Sequence, residues 1–320
     1  MPALAVCAVA AATAAAVLVP MTAIGSASGH HRGLVPAPVG PTDGQMVGFH
    51  GLVLTVPGSW HINDTRCGTP VADTVIRDED STPLCLLPRP KNVSSVELLA
   101  DPASWTAQLH QVAQVTNAHG VHLRRGSIPG RGDIVVVPAV GVVVLVRTSS
   151  AKTAQRIVDS VQVVDTDTTG CAMRQSSLNP PSGPALRGGP FHRYNVRYVI
   201  PPHVTAIAVC HYVDDWLVSS TTVTGAPMAG LTHLANAAPA GLAHAASSDH
   251  LPSICTEPSS DGGEAGSGFV LHAHYAGQPD QLLWAHIGSC GMLGITNGLR
   301  SGRLSPALAR AITSPLHIGA

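Results

Sequence analysis

Val140 to Val146 is apolar at every position except Gly141, which marks a strand covered on both faces. Further runs repeat the strand signal at Val47 to Val56, Val71 to Arg77, Leu84 to Leu87, Val93 to Leu98, Val121 to Arg125 and Asp133 to Val137. Helical spacing replaces it twice. Asp101 and Pro102 suit an N-cap and first turn, and Trp105, Leu109 and Val112 then fall on one face of a helix reaching about Val115. A second helix is expected after Ser149 or Ser150, carrying Ala154, Ile157, Val158 and Val161. Residues 46–165 therefore read as one α+β domain.

The stretch 166–190 is rich in turn residues and reads as a connector. Beyond it, strands are expected at Arg193 to Ile200, Val204 to Tyr212 and Trp216 to Thr222. The Ala-rich stretch Met228 to Ala246 is interrupted by Pro239 and reads as two short helices. A hairpin follows, Phe269 to Tyr275 and Leu282 to Ile287, turning through Gly277, Gln278, Pro279 and Asp280. Asn297-Gly298 is a tight-turn signal, and Ser305 to Ile312 has the spacing of an amphipathic helix. Residues 191–320 thus form a second α+β domain. The expected fold class is α+β, two small domains, each a mainly antiparallel sheet with one or two helices, after an N-terminal segment of another kind.

That segment, residues 1–28, holds no charged residue and is almost continuously apolar to Ile24, long enough to span a bilayer. Small residues from Gly25 to Gly29 follow, as signal peptidase requires. A cleaved signal peptide and an uncleaved membrane anchor both fit. Residues 29–45, punctuated by Pro and Gly, read as a tether. The expected location is secreted, or anchored to the outer face of the cytoplasmic membrane, with membrane contact only through the N-terminal segment.

Composition narrows the partners. The chain has 320 residues with 18 Lys and Arg against 19 Asp and Glu, evenly spread, so nucleic acid is excluded as an expected partner. An envelope or extracellular partner of unknown identity is expected instead. Setting Cys7 aside with the N-terminal segment leaves Cys67, Cys85, Cys171, Cys210, Cys255 and Cys290. An even set in an exported chain reads as three disulfides. Spacing suggests Cys67 with Cys85 in the first domain, and Cys171 with Cys210 and Cys255 with Cys290 in the second, Cys171 coming from the connector.

Candidate chemistry is sparse. Gly288-Ser289-Cys290-Gly291 resembles a cysteine-protease nucleophile turn, but a cysteine expected in a disulfide cannot be the thiolate. Ser149 to Lys152 has SxxK spacing at a position better explained as a helix N-cap. No residue is assigned a catalytic role. Histidine is the unusual feature, 17 in all with ten from His192 onward. His272 and His274 share one face of a strand, because side chains alternate with period two. A third imidazole, His286, would complete a zinc site if the hairpin register placed it opposite His272. Otherwise the histidines form a polar stripe and no cofactor is expected. A further expectation makes them a pH-sensitive feature of the second domain.

Val56-Pro57-Gly58-Ser59-Trp60, the run Asn63 to Pro70 with Cys67, and Cys85 resemble exported actinobacterial proteins of uncharacterised function. So do Ala208-Val209-Cys210-His211-Tyr212, Cys255 ahead of a hairpin, and Cys290-Gly291 followed by Thr296-Asn297-Gly298. The first domain more weakly resembles the Mog1/PsbP-like lipoprotein sandwich, through its VPxxW strand end and a helix near the last strand. These resemblances imply a compartment and no catalytic residues. The expected function is an exported or membrane-anchored envelope protein acting as a non-catalytic binding or structural module, the alternative being a metal-dependent hydrolase using the His cluster.

Overall fold

Runs rich in Val, Ile and Leu become strands because branched side chains pack well on a pleated, buried surface. The structure is a computed structural model that describes residues 44–66, 69–77, 88, 90–100, 103, 105, 110–128, 132–178, 197–241, 243–244, 267–287 and 292–317. Among these residues the fold consists mainly of antiparallel sheets with three short helices.

The described residues open with the hairpin β1 (Gly44–Phe49) and β2 (Leu52–Pro57). A single strand over 47–56 was the expectation; His50 and Gly51 instead both take positive φ, 47° and 86°, and reverse the chain. Next come β3 (His61–Ile62), a small ribbon of β4 (Thr65–Arg66) and β5 (Thr69–Pro70), then β6 (Thr74–Arg77) and β7 (Ser95–Leu99). They are followed by β8 (His110–Thr116), β9 (His122–Ile128), β10 (Gly132–Val137) and β11 (Val142–Arg147). A seven-stranded sheet runs β3-β6-β7-β11-β10-β9-β8, parallel only where β6 meets β3 and β7.

The helix expected over 101–115 is corrected at its C-terminal end. Residues 103 and 105 are helical, but 110–116 form β8, which pairs with β9. The stretch Val112, Ala113, Gln114, Val115, Thr116 is β-rich and runs into the Asn117 to Gly120 turn, so hairpin pairing outweighs the helical spacing. Helix α1 (Ala151–Asp159) forms as expected. The Ser150 hydroxyl accepts from Thr153 N to cap it, and Ala154, Ile157 and Val158 are buried at helical spacing.

A larger, ten-stranded sheet takes in both ends of the described chain. Its members beyond β1 and β2 are β12 (Gln162–Val163), β13 (Val204–Val213), β14 (Trp216–Val223), β15 (Ala243–His244), β16 (Ser267–Tyr275), β17 (Gln278–His286), β18 (Met292–Thr296) and β19 (Ser301–Arg303). The order is β12-β2-β1-β14-β13-β16-β17-β18-β15, with β19 also on β18. Helix α2 (Gly225–Ala237) follows β14, and α3 (Pro306–Thr313) leads into a 3-10 turn, Ser314–Leu316. Beyond Pro239 the second Ala-rich helix is replaced by a bridge at Ala240 and by β15, whose partner is β18. The strand expected at 193–200 is not present over 197–200; there the Val199 and Ile200 amides donate to Asn236 Oδ1 on α2.

The sequence divides at 166–190, but backbone pairing does not follow that division. Met46 and Val47 of β1 pair with Ser220 and Ser219 of β14, so strands from both expected domains share one sheet. Gln45 Nε2 on β1 also donates to Leu316 O at 2.7 Å, linking the first strand to the last turn. All described residues fall within one compact unit, Pro36–Ala320.

One face of the large sheet is covered in two parts. Val47, Phe49, Leu52 and Leu54 pack against Val144 and Val146 of the seven-stranded sheet and Ile157 of α1. Further along, Ile207, Val209, Leu271 and Leu283 pack against Leu231 of α2 and Leu308 of α3. The opposite face carries Met46, Cys210, Tyr212, Val270 and Trp284, and is covered by chain from the expected connector, including Cys171 and Met173. Among the described residues no helix is long and apolar enough to cross a membrane. The expected segment 1–28 and positions 29–43 of the expected tether 29–45 lie outside the described residues; the tether's last two positions, Gly44 and Gln45, are corrected to the start of β1, where they pair with Pro57 and Val56.

Candidate functional site: a disulfide-fixed strap over a histidine pair

The described part of the expected connector, 166–178, together with Val164 and Asp165 before it, is a strap laid across the second face of the large sheet. Met173 N donates to Asp165 O, Leu217 N to Met173 O, and Gln175 N to Asp215 O, so the strap is bonded to itself and to the β13–β14 turn. Its tight turn is organised by Asp167, a buried carboxylate. Oδ1 accepts from Thr169 N at 2.9 Å, Thr169 Oγ1 at 2.7 Å and Cys171 N at 2.9 Å. Oδ2 accepts from the Ser220 hydroxyl of β14. Burying a carboxylate is costly unless its lone pairs are filled, and these are.

The strap is then joined covalently to the sheet. Cys171 and Cys210 form a disulfide with Cα atoms 5.7 Å apart, and both residues are fully buried. This is one of the three expected pairs; Cys67, Cys85, Cys255 and Cys290 lie outside the described residues. Tyr212, two residues beyond Cys210, donates its hydroxyl to Ala172 O at 2.9 Å. Burial and the nearby Asp167 charge push this phenol well above its usual range, so it stays a neutral donor.

His272 lies beneath the strap turn. A Cβ added at Gly170 would stand 3.9 Å from His272 Nδ1. His274 follows on the same face, the two rings 6.5 Å apart between centroids. His274 Nδ1 donates to Asp280 Oδ2 at 2.9 Å, which fixes the ring. Its Nε2 is buried and accepts no hydrogen bond from the described residues. His272 is pushed down to about 4, chiefly by burial and then by His274, with Asp280 opposing. It is therefore a neutral imidazole at pH 7. The arrangement leaves a buried ring nitrogen, His274 Nε2, open to a ligand or a hydrogen bond beside the neutral His272 ring.

His286 does not join them. Gly277, at φ 66°, closes the hairpin at once after Ala276, so β17 begins at Gln278 instead of Leu282. In the resulting register His272 faces Leu282 and Phe269 faces Ala285, while His286 pairs with Gly294 of β18. The register that would set His286 opposite His272 does not occur. His286 is held below its ordinary value by burial alone. Among the described residues no three His, Cys, Asp or Glu side chains gather as a metal site requires.

Three contributors were hidden in the sequence. Asp280 reads as a turn residue, and only the early turn at Gly277 brings it to His274. Asp167 reads as part of a connector. His211 reads as a strand residue, yet it is buried on the other face, stacked on Phe269 at 4.7 Å. Burial, and then the charge of Arg77, lower His211 to about 3. No family model, curated protein or solved structure matches this chain.

Proposed function

We propose that the chain is an exported protein of the cell envelope, secreted or anchored through residues 1–28, that acts by binding or by structural support without catalysis. The observation that carries this reading is the buried Cys171–Cys210 disulfide, which fastens the strap to the central strands. Such a bond persists in an oxidising compartment and is reduced in the cytosol. The charge-free first segment, the Pro- and Gly-rich stretch after it, and the resemblance to exported actinobacterial proteins support the same location. The remaining cysteines complete three staples in this proposal, and the partner belongs to the envelope or the extracellular space. The reading is tested by fusing residues 1–45 to a reporter enzyme that folds only after its own disulfides form. Activity from the fusion, and none from the reporter alone, is expected; an inactive cytoplasmic fusion rejects export.

A second reading, metal-dependent hydrolysis, is favoured by one observation. His274 has its Nδ1 on a carboxylate and its Nε2 unengaged, the usual posture of a metal-ligating imidazole, with His272 beside it. Metal analysis of the purified protein and of a His272→Ala, His274→Ala double variant separates the readings. The first expects no stoichiometric zinc in either; zinc bound by the parent and lost from the variant selects the second.

A further inference from the structure

Sheet edges expose unpaired backbone groups, and stable proteins blunt them with very short strands, prolines, charges or bulges. Three terminal strands here follow that rule by length: β3, β12 and β15 have two residues each. β8 does not. It is the last strand of the seven-stranded sheet, has seven residues, and carries neither Pro nor Lys, Arg, Asp or Glu. Among the described residues its protection is an irregularity between His110 and Ala113. Every residue from Val112 to Thr116 is exposed, and Val112 and Val115 retain 47% and 37% of their surface.

The hairpin that carries this edge is also firmly based. Asn117 Oδ1 accepts from His119 N and Val121 N, closing the turn. Asn117 Nδ2 donates to Val161 O at 2.6 Å, fixing the turn to the end of α1. Arg125 on β9 donates to Gln155 Oε1 at 2.6 Å and pairs with Asp133. The edge is thus presented by a braced element. A depression of about 300 Å³ beside it is lined by Gln114, Val115, Thr116, His122, Arg124 and Pro138, among others.

Charge states what fits. From His110 to Ile128 there is no Asp or Glu, while Arg124, Arg125 and three His are present. Arg124, cross-strand from Gln114, is exposed beside the edge. We infer that β8 is a docking edge for an extended, acidic polypeptide segment, which adds as a further strand and sets a carboxylate near Arg124. This deepens the binding role proposed above by naming its surface and the chemistry of its partner. Export is tested separately, so a failure here leaves that part standing.

The probe is a labelled peptide of about ten residues, strand length, alternating Val and Glu, with an alternating Val and Lys peptide as control. The full chain should bind the acidic peptide and slow amide hydrogen exchange across Val112 to Thr116, and the basic control should bind at least about tenfold more weakly. Arg124→Glu, an exposed change that spares the core, should lower affinity for the acidic peptide by roughly tenfold. Ala113→Pro gives a second test at the edge, its folding checked by thermal melting. Equal binding of both peptides, protection outside β8, or unchanged affinity in Arg124→Glu overturns the proposal. So does self-association through β8 that Ala113→Pro abolishes, or a preference for an anionic polymer such as polyphosphate without protection of β8.

Discussion

His211 and His272 are neutral in the folded protein because burial removes the water that would solvate their charged forms. The unfolded chain protonates them near pH 6.5, so it binds more protons than the folded chain as pH falls. Their full contribution to stability is present above pH 6.5 and is lost progressively toward about 4 for His272 and about 3 for His211. At pH 5 each should have cost about 2 kcal/mol relative to pH 7.5. Urea unfolding at the two pH values checks this. Replacing His211 with Gln should remove its share, about 2 kcal/mol, from the pH difference; an unaltered difference would show that His211 does not drive it. Asp167 is a further residue on which stability turns. Asp167→Ala strands the Thr169 and Cys171 amides and the Ser220 hydroxyl in a dry site, and should cost about 3 kcal/mol or more in the same assay. Neither His211 nor Asp167 announces its role in sequence. What each does depends on which strand passes next to it, and nothing in the spacing of the chain states that.

Among the elements, those set by local pattern were legible. Helix α1 begins where Ser150 can cap it and buries the residues that helical spacing selects. The Val-rich run became β11, paired on both sides by β7 and β10. Elements decided by turn geometry were not legible. His50-Gly51 splits an apparent single strand into a hairpin, and Gly277 starts β17 four residues early. That second shift separates His286 from His272 and supplies Asp280 in its place. The strap is the element with the clearest energetic signature. Its disulfide closes a loop over a sequence separation of 39, worth about 4 kcal/mol by loss of chain entropy in the unfolded state. A Cys171→Ser, Cys210→Ser double variant should lose that amount in denaturant unfolding, and its strap amides should exchange faster than those of β13. A variant as stable as the parent would mean that the covalent link is redundant with the hydrogen bonds around Asp167.

For the whole molecule, the two-part division suggested by composition gives way to a shared sheet. β1 lies between β2 and β14, which joins the start of the described chain to its second half. Close packing at this junction is visible at Gly48 of β1, where a Cβ would come 2.5 Å from Leu217 O of β14. Gly48→Ala must push apart two backbones, and should destabilise the protein by about 2 kcal/mol, seen as one lowered cooperative transition. Two separated transitions would contradict the shared sheet. Partners that lie far apart along the chain, such as Met46 and Ser220, leave no trace in local periodicity, which is why the junction was not legible. Export, as proposed above, requires that the strap be stapled to the sheet in an oxidised state. Peptide mapping by mass spectrometry, on protein recovered from the cell exterior and alkylated before digestion, tests it directly. A linked pair of peptides containing Cys171 and Cys210 is expected; recovery of both cysteines as alkylated free thiols would overturn the proposal.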